Sequence, residues 1–443
     1  MYPNSFGDKF KITTFGESHS VAMGIIIEGV RANVKIDIKE IQNLLDKRKP
    51  KKKLTTLRKE DDKLVILSGI FEGKTLGSPI VALIYNKDAK PKDYSKIKDI
   101  FRPSHADFTF FKKYGIRDYR GGGRSSGRET VSRVAGGAVA ISFLNDKNIK
   151  ITSKIIQISP FKTNKWDEIN EDLPFADKDQ VDDIKNYISS LQGDSIGAII
   201  ETRIDNLPIG IGEPVFEKLN ANLAKAILGI GSVKGIEFGE GFNFANLKGS
   251  EANDQMNESG FISNHSGGIQ GGISNGETII FKSVIKPTPS ISKPQNTINE
   301  NNEKIKIKIK GRHDPCIAIR IIPVINSMTA ITLLNLIDHH NLSSAVQVDP
   351  CTDPTSDDRL PDLRETISNI DISIFTLLEE RFNIVKKIIK HKKQNNIKIE
   401  NKDIEEKLLN NIKNLKFKNL KDEFINKIYR KIFNESKKIQ KND

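Results

Sequence analysis

The chain has 443 residues, of which 37% are hydrophobic and 29% charged, and its formal net charge at pH 7 is +13. This length and composition predict a soluble globular protein with two domains. Only two cysteines occur, Cys316 and Cys351, which excludes a disulfide framework or cysteine-based metal site and predicts a reduced, cytoplasmic protein without a metal. No apolar run approaches the roughly 18 residues of a membrane-spanning helix, and residues 1–10 lack the apolar core of a signal peptide.

The excess of positive charge is compatible with nucleic acid, acidic lipid or small anionic substrates. Much of the lysine lies in Lys/Ile tracts such as 304–310, whereas arginines cluster near glycines and histidines. Because a guanidinium binds carboxylates and phosphates bidentately, this clustering favours a pocket for a small anionic ligand. Nucleic-acid binding is disfavoured because neither a recognition motif nor aromatic interleaving is visible.

The N-terminal part predicts strands separated by tight turns. Residues 10–29 predict strand, turn, strand, with His19 in the Gly/Ser turn. A single histidine in a turn is usually solvated, but one held between strands can titrate near neutrality. Residues 36–45 predict a helix that leads into the basic segment 46–53. This segment has three interpretations: solvated surface, a contact for nucleic acid or membrane, or a mobile lid over an anionic ligand. Further strands are predicted at 64–70 and 80–85.

Segment 101–107, Phe-Arg-Pro-Ser-His-Ala-Asp, predicts a turn that presents Arg102 and His105 together. Residues 117–130 then combine three consecutive glycines, two serines and several arginines. Glycines let backbone amides approach a ligand, and the small apolar run 131–141 predicts a helix whose N-terminal dipole favours anions. The loop therefore predicts a binding site for a small, multiply anionic ligand.

Six segments in this order resemble the chorismate synthase family: 16–19, 101–107, 117–130, 263–276, 286–290 and 311–316. The resemblance implies an α+β fold, the β-α-β sandwich of that family, in a domain of residues 1–346. It implies conversion of 5-enolpyruvylshikimate 3-phosphate to chorismate and phosphate by 1,4-anti elimination, with reduced FMN as cofactor. It also implies small anionic substrates and a cytoplasmic homotetramer, and leaves open whether NADPH or a separate reductase reduces the flavin.

The resemblance also assigns roles by position. His19 and His105 match the two histidines of proton transfer, His105 toward the departing phosphate and His19 beside the flavin ring. The substrate-binding positions are Arg48, Lys53, Arg102, Ser126, Arg128 and Arg312. The flavin-binding positions are Arg124, Ser125, Ser126, Gly231, Ser232, Gly271, Lys286, Pro287, Thr288, Pro289, Ser290 and Arg312. Lys53 stands where arginine is usual, which loses the bidentate fork, and Asn326 replaces an expected glutamate.

Residues 347–361 are acidic, contain proline and lack periodicity, which predicts a linker. Beyond it glycine is absent and apolar residues recur three and four positions apart. This pattern predicts an all-α domain over 362–443, with a helix of about thirty residues followed by shorter helices at 403–415 and 420–440.

Polar residues of this domain recur on defined helix faces. Arg381 and Lys392 share a face of the long helix, Arg364 lies about 100° away, and Ser436 and Gln440 share a face of the last helix. These segments closely resemble the all-helical chorismate mutase family. The resemblance implies an intertwined dimer that rearranges chorismate to prephenate, in which Arg364 reaches the partner's site.

By the same resemblance, Arg364 and Arg381 hold carboxylates, Lys392 and Gln440 contact the ether oxygen, Glu405 meets the ring hydroxyl, and Ser436 helps to bind a carboxylate. Ile404 stands where arginine is usual and Asn401 where aspartate is common. The chain is therefore expected to be bifunctional, a phosphate lyase and an isomerase. The alternative is a chorismate synthase whose helical domain serves only in dimerisation or assembly, and Ile404 favours that alternative.

Overall fold

The computed structural model of the chain describes residues 3–50, 54–55, 61–88, 94–95, 97–167, 172–309, 313–343, 360–394, 402–413 and 420–442. The chain divides into two compact units, residues 1–346 and 347–443. The first is an α+β unit and the second is helical.

The first unit contains short and long strands in antiparallel pairs. They are β1 Ser5–Phe6, β2 Lys11–Gly16, β3 Ala22–Glu28, β4 Leu64–Ser68, β5 Ile70–Phe71, β6 Lys74–Thr75, β7 Ile80–Tyr85, β8 Lys150–Ile158, β9 Phe161–Lys162, β10 Ala198–Asp205, β11 Val233–Phe238, β12 Met256–Asn257, β13 Gly260–Phe261, β14 Ile269–Gln270, β15 Ile273–Ser274, β16 Ile279–Ile285, β17 Gln295–Ile298 and β18 Lys304–Ile307. Its helices are α1 Ile38–Arg48, α2 Asp107–Tyr114, α3 Thr130–Asn145, α4 Val181–Ser190, α5 Leu219–Leu228, α6 Gly249–Ala252 and α7 Ala318–Ser343.

Two five-stranded sheets enclose a layer of helices. The first sheet has the order β1-β2-β3-β7-β4 and the second the order β11-β16-β10-β8-β9. Helix α3 packs on β2 and β3 of the first sheet, α7 packs on β8 and β10 of the second, and the two helices pack on each other. This arrangement is the predicted β-α-β sandwich, and the strands predicted at 10–29 and 80–85 and the helix predicted at 131–141 are present.

Helix α7 contains a stretch, Ala318–Ile337, that is long and apolar enough to cross a membrane. This stretch is not an unbroken apolar run in the sequence, because Arg320 and several polar side chains interrupt it. Most of this stretch is buried inside the protein, since α7 lies between the two sheets. Its apolar character is therefore explained by its position in the core of the sandwich.

The crossing of α3 and α7 depends on Gly137. A Cβ atom on Gly137 would lie 2.1 Å from Ser327 Cβ and 2.4 Å from Ser327 Cα. Because one of these atoms belongs to the backbone of α7, a side-chain rotation alone cannot relieve the clash. The small residues of segment 131–141 therefore allow α3 to pack closely on α7 at this crossing.

We expect Gly137→Ala to lower the free energy of unfolding by about 1 kcal/mol. Overpacking a core costs about 1–3 kcal/mol, which outweighs the gain of up to about 1 kcal/mol in helix propensity. Denaturant titration would measure the change. Gly249→Ala in α6 is the control, because nothing lies within 4 Å of its Cβ position; equal stability of the two variants would contradict the expectation.

The second unit consists, in its described residues, of α8 Leu360–Gln394, α9 Lys402–Lys413 and α10 Asp422–Asn442, with α10 packed on α8 and α9. These are the long helix and the two shorter helices predicted from the sequence. The region predicted as a linker, 347–361, lies outside the described residues except for the start of α8. Apolar side chains of α8 are exposed at Ile367, Ile374, Leu377, Ile384 and Ile388.

Candidate active sites

The two predicted proton-transfer histidines lie against neighbouring glycines of one loop. A Cβ atom on Gly121 would lie 2.3 Å from His19 Cε1, and one on Gly122 would lie 2.8 Å from His105 Cε1. Both glycines have positive φ, +70° and +90°, so an L-residue would be strained there as well as blocked. The Gly-rich loop therefore brings His19 and His105 to adjacent positions along one stretch of backbone.

The remainder of this loop is fixed by local hydrogen bonds before α3 begins. Ser125 Oγ donates to the Gly122 carbonyl at 2.7 Å, and Ser126 Oγ accepts from the Arg128 amide at 3.3 Å. The Arg124 guanidinium donates to Thr14 Oγ1 at 2.7 Å, so this cation is held by an uncharged oxygen of the first sheet. The predicted position of the loop at the N-terminus of a helix is confirmed.

Glu17 is a carboxylate that contacts this part of the loop. Burial raises its pKa, while the Arg124 charge and the hydrogen bond from the Arg124 amide act in the opposite direction. A Cβ atom on Gly123 would lie 2.5 Å from Glu17 Oε2, so each of the three consecutive glycines leaves room for a neighbouring side chain.

His105 is positioned by Asp107 and Arg102. Its Nδ1 lies 3.0 Å from Asp107 Oδ1, and Arg102 donates to the same carboxylate from Nε at 2.7 Å and from NH2 at 2.9 Å. Arg102 NH2, which only donates, lies 3.1 Å from the same Nδ1, but it already donates to Asp107 Oδ1 at 2.9 Å. Because a carboxylate only accepts, the contact with Asp107 places the proton on Nδ1. The other ring nitrogen, Nε2, is then the atom available to a ligand.

The charge of Asp107 and burial have opposite effects on the pKa of His105. Burial lowers the pKa of His105 below its ordinary value of 6.5, and the hydrogen bond to Asp107 acts to raise it. Burial also acts to raise the pKa of Asp107, but its bonds to Arg102 and His105 outweigh this and hold the pKa far below its usual range. Asp107 is therefore an anion at neutral pH and supports a positive charge on His105.

We expect Asp107→Asn to lower the pKa of His105 further, because an amide removes the negative charge and leaves the effect of burial unopposed. A titration of the His105 Cε1 proton by NMR, in protein with labelled histidine, would measure the pKa. Asp254→Asn is the control, since that carboxylate binds the amides of His265 and Ser266 instead. An unchanged or raised pKa for His105 would contradict the role given to Asp107.

Twice in this site two arginines share one buried carboxylate. Asp62 binds Arg48 NH2 at 2.7 Å through Oδ2 and accepts from Arg128 NH1 through Oδ1. Asp107, bound to Arg102, also lies 3.5 Å from Arg117 NH1. Arg117 Nε also lies 3.8 Å from Glu300 Oε1, so the second group contains a second carboxylate. The guanidinium groups of both sets are of the kind that binds carboxylates and phosphates bidentately.

Asn86 links the first of these arginine groups, the one around Asp62, to the turn that carries His19. Arg128 Nε donates to Asn86 Oδ1 at 3.0 Å, and Asn86 Nδ2 donates to the carbonyls of Ser20 and Glu17 at 2.9 and 3.0 Å. These two carbonyls bracket His19 in its turn. Three positioning residues, Asp62, Asn86 and Asp107, were thus missed as site residues in the sequence analysis.

The segment 286–290 joins the site from the second sheet. Lys286 Nζ donates to the Ser104 carbonyl at 2.8 Å, and the Lys286 amide donates to the Ser232 carbonyl at 2.9 Å. Burial, together with the charge of Lys234, lowers the pKa of Lys286. Ser232 and Lys286 therefore lie beside the turn that carries His105, as the predicted cofactor-binding positions require.

Other members of the predicted cofactor set differ in their surroundings. Ser290 is buried, and Thr288 Oγ1 is a buried hydroxyl with no hydrogen-bond partner among the described residues. Gly231 has nothing within 4 Å of its Cβ position. An unsatisfied hydroxyl and an open glycine beside basic side chains fit a flavin phosphate or ring edge. Gly271, however, lies at the other end of the second sheet from Lys286.

Some predicted residues lie elsewhere in the structure or outside its described part. Lys53 and Arg312 fall outside the described residues, as do residues 51 and 52 of the predicted lid. Asn326, which stands where glutamate was expected, lies in the core, where its Oδ1 accepts from Ser153 Oγ at 2.5 Å. Its carboxamide therefore serves the packing of α7 on the second sheet.

The helical unit brings together two residues predicted for a second site. Arg381 NH1, on α8, donates to Ser436 Oγ, on α10, at 2.9 Å, and Ser436 is buried. Lys392 lies further along α8 and is half-buried. The side chains of Arg364, Glu405 and Gln440 lie outside the described part of the structure, so their roles stay predictions.

Comparison with known proteins gives two family matches along the chain. A model of the chorismate synthase family matches residues 10–337, and a model of chorismate mutase type II matches residues 363–441. The chain is 49% identical over 345 residues to the chorismate synthase of Sulfurimonas denitrificans, covering 75% of this chain and 95% of that protein. It is 48% identical over 340 residues to the chorismate synthase of Campylobacter jejuni, covering 74% and 94%.

A solved structure is also similar to the chain. The crystal structure of a chorismate synthase matches with a TM-score of 0.59 and 27% identity, covering 75% of this chain and 93% of that one. The match therefore supports the sandwich fold of the first unit.

Proposed function

We propose a role for each described site residue of this chain, which belongs to the chorismate synthase family and ends in a chorismate mutase type II domain. The chain is a bifunctional enzyme of aromatic biosynthesis, a lyase that forms chorismate and an isomerase that converts chorismate to prephenate. The observation that carries the residue roles is that His19 and His105 meet adjacent glycines of one loop. That loop also carries Arg128, which shares Asp62 with Arg48, and His105 shares Asp107 with Arg102.

In the lyase site, the arginines would bind the substrate. 5-Enolpyruvylshikimate 3-phosphate carries two carboxylates and a phosphate, which the guanidinium groups around Asp62 and Asp107 would bind. We assign Arg48 and Arg128 to one end of the substrate and Arg102 to the other, with Ser126 as a hydroxyl donor. Lys53 and Arg312 are assigned to the same clamp from the family resemblance alone.

His105 would protonate the departing phosphate. Its Nδ1 proton is bound by Asp107, so Nε2 is the atom that presents a proton to the leaving oxygen. Burial lowers the pKa of His105 in the free protein, and a phosphate dianion beside it would act in the opposite direction, as would Asp107. His105 would thus gain its proton as the substrate binds and lose it as phosphate leaves.

His19 is assigned to proton transfer beside the flavin ring. Its Nδ1 lies 3.0 Å from Ser18 Oγ, and its ring stacks edge-on against Tyr94 with centroids 5.1 Å apart. These contacts fix the ring plane, so Nε2 has one direction in which to exchange a proton. Ser18 Oγ in turn donates to the Arg120 carbonyl at 3.3 Å, which ties the turn to the loop.

The cofactor is proposed to be reduced FMN, which supplies electron density transiently to a reaction that has no net redox change. Arg124, Ser125 and Ser126 would bind it from the Gly-rich loop, and Lys286, Thr288 and Ser290 from the second sheet. Pro287 and Pro289 would keep that segment extended. Gly231 and Ser232 complete this side, and NADPH is proposed as the electron source if the enzyme reduces its own flavin.

In the isomerase site, Arg381 and Ser436 would bind a carboxylate of chorismate together, because they are already hydrogen-bonded across α8 and α10. Lys392 and Gln440 would stabilise charge that develops on the ether oxygen, Glu405 would bind the ring hydroxyl, and Arg364 would come from a partner subunit. A Claisen rearrangement needs no covalent catalysis, so holding a compact conformer and stabilising this charge suffice.

Anaerobic incubation of the purified protein with 5-enolpyruvylshikimate 3-phosphate and reduced FMN tests the proposal. We expect phosphate release, transient chorismate and accumulation of prephenate, measured by chromatography. Phosphate release with chorismate as the final product would instead support a helical domain that acts in assembly alone, which the Ile404 substitution favours. Absence of phosphate release would refute the roles proposed for the lyase site.

We further propose that the enzyme is a cytoplasmic homo-oligomer, as befits a biosynthetic enzyme of small soluble metabolites. The limits proposed for its parts are 1–346 for the lyase domain, 347–361 for the linker and 362–443 for the isomerase domain. Sedimentation velocity of the full chain would determine the subunit number.

A further inference from the structure

We propose that Arg320 is a positioning residue of the lyase site, which fixes the C-terminal end of α1 and thereby the Arg48 guanidinium that binds the substrate. The inference rests on the substrate role proposed above for Arg48. It adds a residue of α7 that lies outside the six segments that carry the family resemblance and that acts on the substrate through Arg48.

Arg320 is a buried charge in an apolar helix. It is the one charged residue in the sequence stretch 318–337, and it is only 8% exposed. It lies in the first turn of α7, which begins at Ala318, and the dipole at a helix N-terminus disfavours a cation. The groups that compensate this charge therefore lie outside α7.

Two contacts of the Arg320 guanidinium reach different segments of the chain. NH1 donates to Asp314 Oδ2 at 3.0 Å, and Nε donates to the Arg48 carbonyl at 3.1 Å. Arg48 is the last residue of α1, and the last carbonyls of a helix need partners outside that helix. The helix C-terminus also favours a cation. Arg320 therefore joins the segment before α7 to the C-terminal end of α1.

Arg48 continues this connection into the substrate site. Its NH2 lies 2.7 Å from Asp62 Oδ2, and both side chains are buried. Arg128 of the Gly-rich loop donates to the other oxygen of Asp62. The backbone of Arg48 is thus held by Arg320 and its guanidinium by Asp62. A guanidinium fixed at both ends is pre-organised for a contact with a carboxylate or phosphate.

Stability alone does not account for the Arg320 contacts. A buried ion pair contributes little net stability, because desolvation offsets the attraction between its charges. Helix α1 also packs on α3 and α7, and its Ile41 and Leu45 are buried. Apolar packing is non-directional, so it holds α1 in place without fixing the orientation of its last peptide group. The hydrogen bond from Arg320 supplies that orientation.

Arg320→Lys tests this role, because it keeps the charge but replaces a fork that reaches two acceptors from different nitrogens. We expect the Kd for 5-enolpyruvylshikimate 3-phosphate to rise about 10- to 100-fold, as when a clamping group is displaced by about 1 Å. Turnover at saturating substrate should fall much less. Calorimetric titration without reductant measures Kd in the absence of turnover. A role in stability alone would lower Tm and leave the Kd of the folded protein unchanged.

A double-mutant cycle with Arg48→Ala shows whether Arg320 acts through Arg48. In the Arg48→Ala background, Arg320→Lys should change Kd by no more than about twofold, which is the accuracy of additivity for independent effects. An equal effect in both backgrounds, or a normal Kd in Arg320→Lys alone, would overturn the inference. A normal Kd in Arg48→Ala would instead refute the substrate role proposed for Arg48, so the two failures are distinguishable.

Arg203→Lys is the matched control, because Arg203 Nε donates to Glu201 on the same strand, β10, at 2.9 Å; its Kd should be unchanged. If Arg320→Lys fails to fold, Arg320→Met combined with Asp314→Asn gives a second route, since it leaves no unpaired buried charge in this pair. The Arg48 carbonyl still loses its donor, so we expect a similar loss of substrate affinity that disappears in the Arg48→Ala background. Unchanged affinity in this double variant would overturn the inference.

Discussion

Replacing His105 by alanine is expected to lower turnover of the lyase reaction by about 10²–10⁴-fold, the usual contribution of a positioned general acid. The affinity for flavin should change little, because His105 is bound to Asp107 and lies against Gly122 rather than at the proposed phosphate contacts. Stopped-flow measurement of phosphate release with saturating reduced FMN would give the rate.

His105→Asn is the matched variant for this experiment. Its amide can still donate to Asp107 and fills part of the space beside Gly122, but it cannot deliver a proton near neutral pH. If His105 had only a structural role, asparagine would largely restore activity. If His105 is the proton donor, asparagine would not restore it. Full activity of either variant would contradict the assignment of the proton transfer.

Arg124→Ala should have the opposite effects: a large loss of FMN affinity and a small loss of turnover. Its guanidinium is held by the neutral Thr14 hydroxyl, so its charge is available to an anionic cofactor. Loss of a charge-assisted contact of about 1.5–3 kcal/mol should weaken FMN binding roughly 10- to 150-fold and leave turnover at saturating cofactor much less affected. Equilibrium titration beside the rate measurement separates the two effects.

Local motifs explain which part of the site could be predicted from the sequence. Arg102 and His105 lie three residues apart in a proline-containing turn, so their proximity follows from short-range geometry. The Gly-rich loop before α3 is likewise encoded locally, by residues whose positive φ only glycine adopts at little cost. Both predictions are confirmed by the contacts of His105 with Arg102 and Gly122.

The positioning residues could not be predicted in this way. Asp62 meets Arg128 from 66 residues away, and Asn86 meets it from 42 residues away. Asp62 belongs to a run of mixed charges that has no periodicity, and Asn86 directly follows a strand with no other signal. Their positions depend on how the first sheet and α3 pack together, which no local pattern contains. The separation of Gly271 from Lys286 is likewise a property of the second sheet's tertiary arrangement.

The isomerase activity is expected to be nearly lost in Arg364→Ala and in Lys392→Ala, each tested alone, and to return when the two proteins form mixed dimers. Arg364 lies about 100° around α8 from Arg381 and Lys392, so one helix does not direct all three cations at one ligand. A two-fold partner can supply the missing arginine. The exposed apolar side chains Ile374 and Ile384 on α8 leave a helix face on which that partner can pack.

In a mixed dimer one isomerase site receives both lesions and the other receives neither, so prephenate formation should recover to about half of the normal activity per mixed dimer. Lyase activity, measured as phosphate release on the same samples, is the internal control and should not change, because both substitutions lie in the second unit. Exchange of subunits would be verified by isolating doubly tagged protein. If that species forms no prephenate although the unmodified protein does, each isomerase site lies within one chain and Arg364 has no role across the dimer.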